Sequence, residues 1–352
     1  MAHLTKNFTS EAPLSPAVRE AISAALEQGW ADPKKQSQAA GKAAILRNSA
    51  LAEISAHLGT TPDRLEVTGE PSLLHFLAIM GFMRDESLLY TSTIDLGKIR
   101  AISRHYSDPS REMGVDENGQ YIIGNLRPAK KSVISIQATN GETGASQDLE
   151  RWRGHSAHVI LDATHAFPSE KLIDGFAATT LEAASWGGPA GLGFLAIGDE
   201  KSFKYPLPHI APIRTPGSYS IPLLVGSAIA LNEFVSQQEL LTSLRSRLIE
   251  ELSTIDGLTV LATTTGAHSR YLSVVIEDLA SEEVLRALLQ RDVAVDAGSA
   301  CSPEDLTPSH VIASMGFPTT GHLRFTIHPG HIEDDIIALA AVLKEVLQEL
   351  RR

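Results

Sequence analysis

In "LSPAVREAISAALEQG" the apolar residues Val18, Ile22 and Leu26 recur at helical spacing, behind Ser15 at a capping position and Pro16 at the first helical position. An amphipathic helix is expected there. "AAILRNSALAEISAHLG" repeats the pattern with Ile45, Leu51, Ile54 and Leu58, and Gly59 supplies a left-handed stop. Next, "RLEVTG" reads as a strand, and short apolar runs follow near 87–92, 132–138, 158–163 and 193–198. Helical patterns or long connections separate most of these runs, which predicts a largely parallel sheet covered on both faces, with ligands at the C-terminal strand ends. A helical pattern over 222–253 reads as a bridge to a second unit. Beyond it, "YLSVVIED", the helix "SEEVLRALLQRD" capped by Ser281, "GHLRFTI" and a terminal helix compose an α+β texture.

Length agrees with two units, because 352 residues exceed the size at which one core stops growing. A net charge of −12 argues against a nucleic-acid surface. No run approaches the roughly 20 apolar residues of a membrane span. One cysteine leaves no internal disulfide, and the N-terminus lacks a signal-like apolar run, so cytoplasmic placement is expected.

Three residues stand out chemically. Asp162 follows the apolar run "HVIL", so its carboxylate needs a partner: either the following turn or a ligand. Cys301, in "AGSACSPEDLTPSHV", is either a buried filler or an accessible thiol on a polar loop. Arg324 lies inside an apolar alternation and calls for a carboxylate, internal or from a substrate. The segment "AASWGGPAGLGFLAIG" has the glycines of a tight turn but no ionisable group, and it precedes a strand rather than a helix, unlike a phosphate loop. The histidines show no metal-binding spacing.

Taken in order, "ATNGETGASQDL", "VILDATHA", "GGPAGLGFLAIG" and "GSACSPEDLTPSHV" with the downstream "LRF" resemble cysteine desulfurases of the class V aminotransferase group. These are pyridoxal-phosphate (PLP) enzymes of fold type I. The resemblance implies an α/β fold: a large domain (14–235) around a mostly parallel seven-stranded sheet, and a small α+β domain from 1–13 and 236–352. It also implies a dimer of identical or paralogous chains with the active site at their interface, an amino-acid ligand and a sulfur-acceptor protein. Carried over by position, Asp162 would hold the pyridine nitrogen, and His165, Ser72, Ser220 and Asn140 would contact the cofactor. Cys301 would be the sulfur nucleophile and Arg324 the clamp on the substrate carboxylate. Ser185 falls where the family's Schiff-base lysine stands, Leu96 where a histidine stacks on the ring, and Gly141 where an asparagine contacts it. The expectation is a homologue that has given up Schiff-base chemistry at position 185 while Cys301 accepts or relays sulfur, or while the chain completes a partner's site. The alternatives are an active PLP enzyme with its amine elsewhere, and a noncatalytic binding module docking through "SPEDLTPSH".

Overall fold

A computed structural model describes residues 6–106, 111–124, 128–129, 131–209, 219–263, 269–297 and 308–352. Two sheets organise the described chain. The smaller one gathers β1 (Asn7–Phe8), β10 (Leu258–Val260), β11 (Tyr271–Ile276), β12 (Ala294–Ala297) and β13 (His322–Thr326) in the order β1-β12-β13-β11-β10. β1 runs parallel to β12, with Asn7 opposite Ala294, and the other pairs are antiparallel.

The larger sheet has the order β2-β9-β8-β7-β6-β3-β4-β5. Its strands are β2 (Leu65–Thr68), β3 (Leu89–Ser92), β4 (Glu112–Val115), β5 (Tyr121–Ile122), β6 (Val133–Gln137), β7 (His158–Asp162), β8 (Ala178–Glu182) and β9 (Gly193–Ile197). The run β8-β7-β6-β3-β4 is parallel, whereas β9 is antiparallel to both β8 and β2. Seven strands match the expected sheet. The eighth, β5, is a two-residue hairpin partner of β4 at the edge.

Burial on both faces explains why these strands read as unbroken apolar runs. Val159 and Leu161 of β7 enter one core with Phe194 and Ala196 of β9, while Ile160, Leu195 and Ile197 face a second core under the helices α3 (Leu74–Phe82) and α4 (Gly97–Tyr106). On the first face pack α1 (Pro16–Gln28), α2 (Gln38–His57) and α5 (Ile221–Val235). The Ser15 hydroxyl accepts from Val18 N and donates to Glu233 of α5 at 2.6 Å, so the first cap also ties two helices.

The apolar stripe of α1 is only partly buried: Val18 is enclosed, yet Leu26 is 60% exposed. Each four-residue step overshoots a full turn by about 40°, so the third residue of such a series has rotated off the buried face, and Ala25 takes its place. The pattern over 222–253 is not one bridge but two helices, α5 and α6 (Gln238–Leu252), broken at Ser236 and Gln237. Ser281 is the first residue of α7 (Ser281–Leu289) rather than its cap, and its hydroxyl donates to Thr320 O. The remaining helices are α8 (His310–Ser314) and α9 (Glu333–Leu350), the latter packed on α6 and α7. Among the described residues no helix is long and apolar enough to cross a membrane.

Candidate functional site

Asp162 closes β7 at the C-terminal edge of the large sheet and is 2% exposed. Its Oδ1 accepts from the Thr164 amide (3.1 Å) and hydroxyl (2.6 Å), which is the turn-capping role. The same oxygen lies 3.2 Å from His75 Nε2, within ion-pair range although not aligned as a hydrogen bond. Burial pushes this carboxyl's pKa up, but His75, His165 and Thr164 outweigh it and hold the group well below the usual range. Gln137 and Thr180 flank Asp162 in strand register, and Gln137 Nε2 and Thr180 Oγ1 are buried without hydrogen-bond partners.

His165 sits beside this carboxylate, with its ring edge against Tyr271 at 5.5 Å. Burial, then the charges of Arg324 and Arg270, lower its pKa to about 4 despite Asp162. A side chain at Gly141 would collide with this imidazole, since a Cβ there would lie 2.2 Å from it. Asn140 spends its capacity within the protein: Nδ2 donates to Ile94 O after β3 and to Gln137 Oε1, and Oδ1 accepts from Glu142 N and Thr143 N of its own turn.

The turn after β8 is a single helical turn, Ala183–Trp186, stopped by Gly187 at φ +76°. Trp186 is almost wholly buried and anchors the turn by donating Nε1 to Ser227 O of α5 at 3.0 Å. Ser185 is 6% exposed, and its hydroxyl donates back to Glu182 O at 2.8 Å. Arg270 Nη2 donates to Ala184 O at 3.3 Å from the other side.

Ser72 lies exposed just before α3, where Glu70 receives both its amide and its hydroxyl, the latter at 2.5 Å. These two bonds, then the Lys98 charge, lower the Glu70 pKa. Lys98 Nζ in turn lies 3.4 Å from Glu182 Oε1. Ser220 caps α5, accepting from Leu223 N. Arg324 of β13 pairs with Asp296 Oδ2 at 2.8 Å, so its carboxylate is internal in this structure. Cys301 lies outside the described residues.

The fold thus brings Asp162, His165 and Ser185 to one end of the sheet, with Asn140 in an adjacent turn. His75, Glu70, Glu182, Lys98 and Arg270 were missed by the sequence reading. Only His75, a lone imidazole in the apolar stretch "LLHFLAIMGF", and Arg270, opening an apolar strand, carry a visible signal.

The aminotransferase class-V family matches residues 215–339. Among curated relatives, "Cysteine desulfurase IscS" of Methanosarcina thermophila is 28% identical over 258 residues, covering 67% of this chain and 63% of the relative. The chain therefore matches slightly less than two thirds of that relative's length. "Cysteine desulfurase" of Sinorhizobium fredii is 24% identical over 300 residues, 76% of each. Among solved structures, a NifS-like protein superposes with a TM-score of 0.82 at 18% identity, covering 97% of this chain and 99% of that one. The NifS-like protein from Rickettsia africae gives 0.80 at 16% identity, with the same coverage. At these identities the structures establish the fold. Residues 215–339 thus carry the class V match, and the chain as a whole is similar to cysteine desulfurases and has the fold of the type I PLP enzymes.

Proposed function

We propose that this protein has given up PLP Schiff-base chemistry at position 185 and serves as a sulfur acceptor through Cys301, or as the partner of an active chain. One observation supports the reading: the turn that by its sequence resembles the family's lysine turn holds Ser185, whose hydroxyl is folded back onto Glu182 O. An alcohol cannot form an imine, so the family's first step has no reagent there. The surroundings also fit the cofactor poorly. His75 lies against the carboxylate that would hold the pyridine nitrogen. Glu70 occupies Ser72, a matched phosphate contact, and Glu182 adds a second carboxylate nearby. A phosphate dianion would have to displace Glu70 from Ser72 and would meet two carboxylates with Lys98 alone between them to offset their charge.

A persulfide donor would transfer its terminal sulfur to the Cys301 thiolate, leaving the donor as a thiolate and Cys301 as a persulfide. Arg324, on β13, would orient a carboxylate once released from Asp296. Pairing with a second chain is part of this reading; Leu26, Trp30 and Ile45, all more than half exposed on or beside the packed helices α1 and α2, supply apolar surface for it. So is the division into a large unit, 14–235, and a small unit from 1–13 and 236–352.

The test has two arms. Protein mixed with PLP should develop no absorption band at the visible edge and retain no label after borohydride. Offered a persulfide donor, wild type should take up sulfane sulfur and Cys301→Ala should not; equal labelling would remove the sulfur role. A second reading, an active enzyme using another amine, is favoured by Lys98, whose ammonium lies beside the turn at Glu182. A borohydride-fixed label mapped to Lys98 would establish it.

A further inference from the structure

The opposite end of the large sheet carries a second feature. A cavity of about 230 Å³ opens where β6 and β7 begin, lined by Phe82, Arg84, Ser87, Lys131, His158, Lys201, Ser202 and Lys204. His158 and Asp162 bound the same strand, so roughly 13 Å of extended chain separates this cavity from the site above.

Its lining holds four lysines and arginines, one histidine and no carboxylate, in a chain of net charge −12. Scattered surface lysines would leave no such contrast. Arg84 is fixed: its guanidinium donates to Gly81 O, Met83 O and Ser202 O, stitching the end of α3 to the segment after β9. It supplies positive potential with three of its five hydrogens committed to these carbonyls. Lys131 has a loose exposed partner in Glu86 at 3.6 Å, and His158 one in Asp199 at 3.7 Å. Among the described residues no carboxylate comes within ion-pair distance of Lys201 or Lys204. The start of β6 and the end of β9 therefore bring three lysines to a concavity whose nearby carboxylates, Glu86 and Asp199, lie outside its lining.

The cavity exceeds the size of a bare oxyanion, and one wall carries the partly exposed His158 ring, backed by the buried Phe82 ring 5.0 Å away. We propose that it binds a small phosphate monoester, the phosphate between Lys201, Lys204 and Lys131 and the organic moiety against the His158 ring. Lysine serves phosphate as a point charge and needs no planar match. The site is independent of position 185 and of Cys301.

Calorimetric titration of the full chain at fixed ionic strength, with phenyl phosphate and with inorganic phosphate, tests this. Phenyl phosphate should bind saturably at one site, tighter than inorganic phosphate, and more weakly as salt rises. K201E/K204E should weaken it by roughly tenfold or more while thermal unfolding stays unchanged, because both residues are exposed. K42E, an exposed substitution on α2, should leave it unaltered. No saturable binding, or equal binding by the double variant, would overturn the site; equal affinity for the two probes would overturn the ester assignment.

Discussion

His328 is locked in one tautomer by what surrounds it. Arg270, which can only donate, points Nη1 at His328 Nδ1 (3.1 Å), and the Thr9 carbonyl, which can only accept, lies 2.7 Å from Nε2. The proton therefore sits on Nε2, and adding a second would face Nδ1–H against a guanidinium. Burial first, and then the Arg270 charge, lower its pKa from 6.5 to about 3. A histidine whose folded pKa is depressed contributes stability that is fully present above the unfolded value of 6.5 and is lost as pH falls towards 3. Between pH 7.5 and 5.0 the unfolded chain takes up a proton that the folded site refuses, which costs about 2 kcal/mol. His165 and His322, each lowered to about 4 chiefly by burial, act in the same direction. Asp95, raised well above its usual value by burial, acts in the opposite one. The share of His328 is thus read by difference. Urea unfolding of wild type and His328→Gln across this range should show the stability gap shrinking by about 2 kcal/mol as the pH drops. A gap that stays constant would refute the tautomer lock.

Other outcomes follow from particular contacts. Trp186→Ala removes a fully buried indole and the anchor of the 183–186 turn, and denaturant unfolding should show a loss of about 3–5 kcal/mol. Trp186→Phe, which keeps a ring, should lose much less. Gly144→Ala forces a Cβ to within 2.2 Å of the Tyr271 carbonyl at a φ of +77°, so a sharply lowered melting temperature or insoluble protein is expected. Ser185→Lys restores an amine but not the phosphate contacts. Its PLP band should strengthen markedly when Glu70→Ala and Glu182→Ser are added, as measured by absorbance titration.

Much of the large sheet was legible because strands buried on both faces leave unbroken apolar runs ended by a polar residue, as Asp162 ends β7. The exposure of Leu26 was not, since a helical stripe gives spacing but not which part of it finds a partner. Likewise Ser236 and Gln237 break a helix without the glycine or proline that would announce it. Arg324 announced its need for a carboxylate, but only strand register, which sets Asp296 opposite it, shows which one is met. Glu70, Lys98 and Glu182 come from three separate elements and meet only when the sheet is assembled. No spacing in the sequence encodes that encounter.

The parallel pairing of β1 with β12 has a consequence for synthesis. A ribosome releases the segment holding Asn7 and Phe8 early, yet its strand partner at Ala294 and Val295 is made only after the whole large sheet has emerged. Until then Phe8 lacks both its strand partner and the His331 ring on which it stacks 4.5 Å away. The large sheet can close from contiguous chain, whereas the small one must wait until its edge strand is brought back across nearly the full length. Pulse-labelled hydrogen exchange during refolding should find the Phe8 amide protected after those of β6 and β7; simultaneous protection would mean that the two sheets form together.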